Sequence, residues 1–145
     1  FPVGLHNTVN LLKQKYTIQI SYKKCFPTFN HVYALSKLSK DYKIAVCSNS
    51  IRKTIETLME LSDLNQFIDL ILSNEDVKDP KPSPEMYLEA FKALNLKPTE
   101  CLILEDNENG IAAAISSGAH LLKIGEPNEV TYNNINNKIN EINKN

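Results

Sequence analysis

Apolar positions along this chain change period several times, and each change marks an element. Over residues 5–20, Leu5, Val9, Leu12, Tyr16 and Ile20 recur at helical spacing, with Lys13 and Lys15 on other faces. The pattern breaks at Cys25-Phe26-Pro27, as proline demands. A second helix follows, with Val32, Leu35 and Leu38 as its stripe and Asn30 as its N-cap. From there short apolar runs alternate with helical stripes. The runs at 43–47, 68–72, 101–104 and 119–124 predict strands. Between them, Ile51, Ile55, Leu58 and Met59 form one helix face, and Tyr87, Ala90, Phe91 and Leu94 form another. Ser83 as N-cap and Pro84 as first helical residue start that second helix. A small-residue helix near 109–117, closed by Gly118, completes the alternation. Strands alternating with helices predict an α/β fold with a doubly wound parallel sheet. In the Asn-rich tail from residue 128, Ile135, Ile139 and Ile142 leave a weak helix and a frayed coil both open.

Composition narrows this picture. The 145 residues suffice for one domain with a real core, and 42% hydrophobic and 23% charged residues are ordinary for a globular protein. A net charge of −1 gives no pull toward nucleic acid or an anionic membrane, and no apolar run approaches a membrane span. Residues 1–40 hold six lysines and no Asp or Glu, so the remainder carries ten bases against all seventeen acids. With no Arg cluster interleaved with aromatics, this asymmetry suggests an interface or two modules. Three scattered cysteines exclude a disulfide framework, and the expected setting is reducing and cytoplasmic. The chain opens on Phe1-Pro2-Val3 and is expected to begin partway through a longer protein.

Three stretches carry candidate chemistry. Val46-Cys47-Ser48-Asn49-Ser50 is a strand running into a helix start, where the Ser48 hydroxyl and free backbone N–H groups at Ser48 and Asn49 suit an anion. Plain helix capping is the competing explanation. Lys81 stands between Pro80 and Pro82 on a stiffened loop and can neutralise a phosphate, or simply be solvated. Glu105 and Asp106 end an apolar strand; adjacent carboxylates repel, and Mg²⁺ would relieve that repulsion. Each alone has a bland reading. All three follow strands, so all can converge on one sheet edge, and an anion cradle, a cation and metal-binding acids are what phosphoryl transfer needs. His6, His31 and His120 are isolated and read as surface or packing residues.

Residues 42–125 resemble the core of the haloacid dehalogenase-like hydrolase superfamily, in the branch that includes β-phosphoglucomutase and phosphoglycolate phosphatase. Ile44-Ala-Val-Cys-Ser48-Asn-Ser is similar to its second motif, Asp79-Pro-Lys81-Pro-Ser-Pro to its third and Leu104-Glu105-Asp106-Asn107-Glu-Asn-Gly110-Ile to its fourth. The resemblance implies that Ser48 and Asn49 bind a phosphoryl group, that Lys81 contacts it and the nucleophile, and that Asp106 and Glu105 hold Mg²⁺. It implies a small phosphorylated substrate and an aspartyl-phosphate intermediate. The family's first motif, Asp-x-Asp after a central strand, has no counterpart: no carboxylate precedes Asp41. Residues 1–40 resemble the closing helices of a cap, giving a cap remnant at 1–40, a hydrolase-like core at 41–127 and a tail at 128–145. The resemblance thus implies a hydrolase core without its first strand, a gap between the strands at 43–47 and 101–104, and no activity in this chain alone. A missing N-terminal segment or a second copy is the expected occupant of that gap. A binding or scaffolding remnant is the alternative. The Glu105-Asp106 pair argues against a metal-independent dehalogenase.

Overall fold

A computed structural model describes residues 25–145 of the chain. The helix expected over 5–20, and His6 within it, lie outside the described residues. Helix α1 spans Phe29–Leu38, β1 Ala45–Cys47, α2 Arg52–Leu61, β2 Leu70–Leu72 and α3 Glu85–Leu94. Strand β3 spans Leu102–Glu105, α4 Glu108–Ser117, β4 His120–Lys123 and α5 Tyr132–Asn143. The expected strands are all present, shorter by a residue or two at most ends. Side-chain and turn contacts take over there: Asp69 both donates its N–H to the Ile44 carbonyl and accepts the Ile44 N–H on its carboxylate, each at 2.8 Å.

Helix starts differ slightly from expectation. Helix α1 begins after Thr28 rather than Asn30. Helix α3 begins after Pro84, one residue later than proposed, with the Ser83 hydroxyl accepting the Glu85 N–H at 3.3 Å. Helix α4 closes on Gly118 as expected, at φ 81°, a left-handed conformation that favours glycine.

Successive residues of β3 and β4 point to opposite sides, and helices cover both. On one side Ile103 and Leu121 pack with Cys47 against Tyr87 and Phe91 of α3 and Ala113 and Ala114 of α4. On the other, Leu102, Leu104 and Leu122 pack with Ile44 against Ala34 and Leu38 of α1 and Ile135 of α5. This is the doubly wound arrangement, in which strands are buried on both faces. Helix α1, placed by sequence in the cap-like segment, thus lies on the strands with the core, and so does the tail helix.

The tail is a helix, capped by the Thr131 hydroxyl, which accepts the Asn134 N–H at 3.2 Å. Ile135, only 4% exposed, is its anchor. Ile135→Ala is expected to lower the unfolding free energy by about 2–4 kcal/mol in urea denaturation, as cavities of this kind do. A loss below about 0.5 kcal/mol, typical of surface positions, would show that α5 is not docked.

Among the described residues the four strands form two parallel pairs rather than one sheet. Strand β1 pairs with β2, Ala45 opposite Leu70 and Cys47 opposite Leu72. Strand β3 pairs with β4, Leu102 opposite His120 and Glu105 opposite Lys123. Backbone groups alternate between strand edges, so the bonds made by Ile44 and Ser48 to the β2 side turn Ala45 and Cys47 to the other edge. The bonds of Cys101 and Glu105 to the β4 side likewise turn Leu102 and Leu104 away. Among the described residues no strand pairs with either of these edges. His31 and His120 make packing ties, their Nε2 atoms 2.9 and 3.1 Å from the carbonyls of Pro127 and Thr99. Among the described residues no helix is long and apolar enough to cross a membrane.

Candidate active site

The C-terminal ends of β1 and β3 open into one polar cleft of about 760 Å³. Its walls are residues 47–50 from the β1 loop, Lys81, and residues 105–109 from the β3 loop into α4. Ser48, Asn49, Lys81, Glu105 and Asp106, singled out from three separate stretches, therefore share one cavity.

Lys81 lies at the centre. Its ammonium donates to the Cys47 carbonyl at 2.8 Å, on the edge of β1 turned away from β2, and pairs with Glu105 Oε1. Its Nζ lies 4.8 Å from the centroid of the Tyr87 ring, a cation–π distance. Lys81 is 9% exposed and Glu105 8%, so this is a buried ion pair, not the solvated lysine of the bland reading. The Tyr87 hydroxyl donates to the same Glu105 oxygen. Burial, then the Glu105 bond, push the Tyr87 phenol well above its ordinary range, so it stays a neutral donor.

Asn49 braces this lysine through the backbone. Its Oδ1 accepts the Lys81 N–H at 3.0 Å and its Nδ2 donates to the Lys81 carbonyl at 3.1 Å. The side-chain amide of Asn49, a residue expected to bind phosphate, thus ties the β1 loop to the Lys81 loop.

The backbone cradle at the start of α2 is engaged within the protein at some of its N–H groups. Ser48 N–H donates to the Leu72 carbonyl at 3.0 Å, and Arg52 N–H to Glu75 Oε1 at 3.3 Å. Side-chain capping is not the explanation of Ser48-Asn49-Ser50 either, because the N-cap position falls on Ile51. The Ser48 oxygen accepts the Ser50 N–H at 3.2 Å, which leaves its own hydroxyl proton to serve the cleft. Behind this loop, Arg52 bonds the Ile71 carbonyl and Asp76, and Asp76 accepts both the N–H and hydroxyl of the fully buried Ser73. The backbone bond from Ser73, with Arg52 beside it, holds the Asp76 carboxyl below its usual range.

The two acids diverge. Glu105 is committed to Lys81 and Tyr87, whereas Asp106 is exposed at the cleft mouth. Among the described residues no group of three or more metal-binding side chains gathers. Mg²⁺ commonly takes one or two carboxylates and completes its shell with phosphate oxygens and water. Asp106, with Glu105 beside it, fits that partial role.

Gly110 sets how Glu105 sits. A Cβ there would collide with the Glu105 carboxylate. Helix propensity alone makes Gly→Ala within a helix favourable by about 0.5–1 kcal/mol. Here Gly110→Ala is expected to destabilise by about 2–4 kcal/mol in denaturant titrations, because it displaces a buried, paired carboxylate. A gain in stability would refute the close approach.

Cys47 lines the cleft, but burial pushes its thiol up to about 11 against a smaller opposing pull from Lys81. It is protonated near neutral pH and no nucleophile. Among the described residues the cleft holds no nucleophile bonded to a general base.

The family model described as haloacid dehalogenase-like hydrolase matches residues 3–124. The chain belongs to this family. A pyrophosphatase, PpaX, from Bacillus mycoides is 32% identical over 114 residues, covering 69% of this chain and 53% of that protein. The chain spans about half the length of the curated relatives it matches. Among solved structures, a HAD hydrolase of family IA, variant 3, from Entamoeba histolytica superposes with TM-score 0.80 at 21% identity, covering 100% of this chain and 73% of that one. A β-phosphoglucomutase from Clostridium difficile superposes with TM-score 0.74 at 22% identity, covering 92% and 66%. These superpositions establish the haloacid dehalogenase-like fold. Sequence reasoning missed the parts played in it by Tyr87 and Gly110. A hydroxyl on an otherwise apolar stripe and a glycine inside a helix were the available signals.

Proposed function

We propose that this chain forms the charge-stabilising part of a Mg²⁺-dependent phosphatase or phosphomutase acting on a small phosphorylated metabolite. The observation that carries this reading is the buried Lys81 beside exposed Asp106 in a cleft without a nucleophile–base pair among the described residues. The PpaX relative and the β-phosphoglucomutase likeness support the choice of phosphoryl chemistry.

In this reading the Ser48 hydroxyl donates to a phosphoryl oxygen and the Lys81 ammonium offsets its charge. Asn49 and Glu105 keep that ammonium in place. Asp106, with Glu105 beside it, would hold Mg²⁺, which when bound supplies Lewis-acid charge neutralisation on the phosphoryl group. The nucleophile is an aspartate of an added segment, forming an aspartyl-phosphate, and that segment enters as an extended strand along the open edges of β1 and β3. Residues 1–145 alone are inactive. The test is phosphate release from sugar phosphates, phosphoglycolate and pyrophosphate, with and without EDTA, before and after supplying a strand segment that carries the aspartate nucleophile. EDTA-sensitive turnover only after supplementation supports the reading. No turnover in the supplemented protein on any of these substrates would overturn it.

A further inference from the structure

Tyr87 lies in the first turn of α3, facing the core, and is 5% exposed. Its ring packs with Phe91, Ile103 and Ala113, which any aromatic side chain could do. Its hydroxyl does something phenylalanine could not: it donates to Glu105 Oε1, the oxygen that also receives the Lys81 ammonium. The ring face lies 4.8 Å from the same ammonium. One side chain thus touches both members of the buried pair.

A carboxylate with a single fixed partner can rotate about its terminal torsion, which is broad. Two donors on one oxygen remove that freedom. The Gly110 surface closes the remaining side, where even a methyl group would collide with Glu105. Glu105 is therefore held by Tyr87 on one side and by the start of α4 on the other. Lys81 is held in turn between that carboxylate and the Cys47 carbonyl.

We propose that Tyr87 is a positioning residue, whose hydroxyl fixes Glu105 and through it holds the Lys81 ammonium at the point where the cleft receives a phosphoryl group. This rests on the reading of Lys81 as the phosphate-facing cation. Tyr87 itself touches no substrate; it acts through Glu105.

The experiment uses the 145-residue chain labelled with ¹⁵N-lysine. The Lys81 ammonium signal is identified by its loss in Lys81→Arg, and its proton exchange with water is measured at fixed pH. Inorganic phosphate is titrated into the same samples. In the wild type the Lys81 signal is expected to exchange slowly, because its ammonium is hydrogen-bonded and buried. Tyr87→Phe retains the ring and is expected to accelerate exchange about five- to tenfold, the range for losing one ordinary hydrogen bond. It should also weaken phosphate binding severalfold. Replacing Tyr87 with 3-fluorotyrosine keeps the hydroxyl and should restore slow exchange while shifting the Lys81 ammonium resonance. That variant decides the matter even if Tyr87→Phe does not fold.

Unchanged exchange in Tyr87→Phe, or an unmoved resonance with 3-fluorotyrosine, overturns the proposal whatever phosphate does. If Lys81 responds to Tyr87 but phosphate binds equally well to Lys81→Ala, the positioning role stands and the phosphate reading fails.

Discussion

Purified residues 1–145 are expected to release no phosphate from sugar phosphates, phosphoglycolate or pyrophosphate. The same chain supplied with a strand segment that carries an aspartate nucleophile should turn over in Mg²⁺ and stop in EDTA. The expectation follows from the division of labour in the cleft. In the proposed reading Ser48, Lys81 and Asp106, which share the cleft, lower the energy of charge that develops on a phosphoryl group and supply no nucleophile. The covalent route requires a carboxylate nucleophile, and no Asp-x-Asp occurs in the sequence. Loss of a nucleophile removes that route rather than slowing it, so the difference should be about three or more orders of magnitude. Asp106→Asn in the supplemented protein should cost about a hundredfold or more in kcat, with metal dependence shifted to higher Mg²⁺. EDTA-sensitive turnover by residues 1–145 alone, lost in Asp106→Asn, would mean that another carboxylate of this chain is the nucleophile.

Lys81→Ala should damage stability and chemistry together. Removing the ammonium leaves Glu105 buried with only the Tyr87 hydroxyl as partner among the described residues. Breaking a buried pair in this way costs about 3–5 kcal/mol. The cost should appear as a lowered urea midpoint with little change in slope. In the supplemented enzyme kcat/KM should also fall about a hundredfold or more, as loss of a charge-stabilising group commonly produces. The double variant Lys81→Met, Glu105→Gln separates the two effects. Without the orphaned charge it should regain much of the stability while staying inactive. Recovery of turnover in the double variant would show that Lys81 acts only as a structural counter-ion.

Much of this arrangement was legible in the chain because its signals are local. The strand into Ser48, the proline-flanked Lys81 and the strand ending in Glu105-Asp106 each announce themselves within a few residues. What was not legible depends on contacts between distant positions. Tyr87 reads as one more apolar stripe residue; only the meeting of α3 with β3 brings its hydroxyl to Glu105. The pairing of Glu105 with Lys81, 24 residues apart, separates its part from that of Asp106, although the two are neighbours in sequence. Asn49 carries every sign of a phosphate loop, and its bonds to the Lys81 backbone appear only once the two loops are adjacent. The tail is another case. Its isoleucines are spaced as a helix, but the asparagines between them dilute the signal, and docking on α1 and β4 decides the outcome.

The division of the strands into two pairs also changes what holds the cleft together. A continuous sheet passes mechanical load from strand to strand through its ladder. Among the described residues the β1–β2 unit and the β3–β4 unit meet through side chains: α3 spans them on one face, and Ile44 reaches across on the other. The cleft lies on the seam. The Lys81 ammonium grips a carbonyl of one unit and a carboxylate of the other, so it is a staple as well as a charge. Any sliding of the two units along the seam would pull that staple from one of its anchors. The Lys81 charge and the alignment of the two units are therefore one property of the molecule, and neither can be tuned without moving the other.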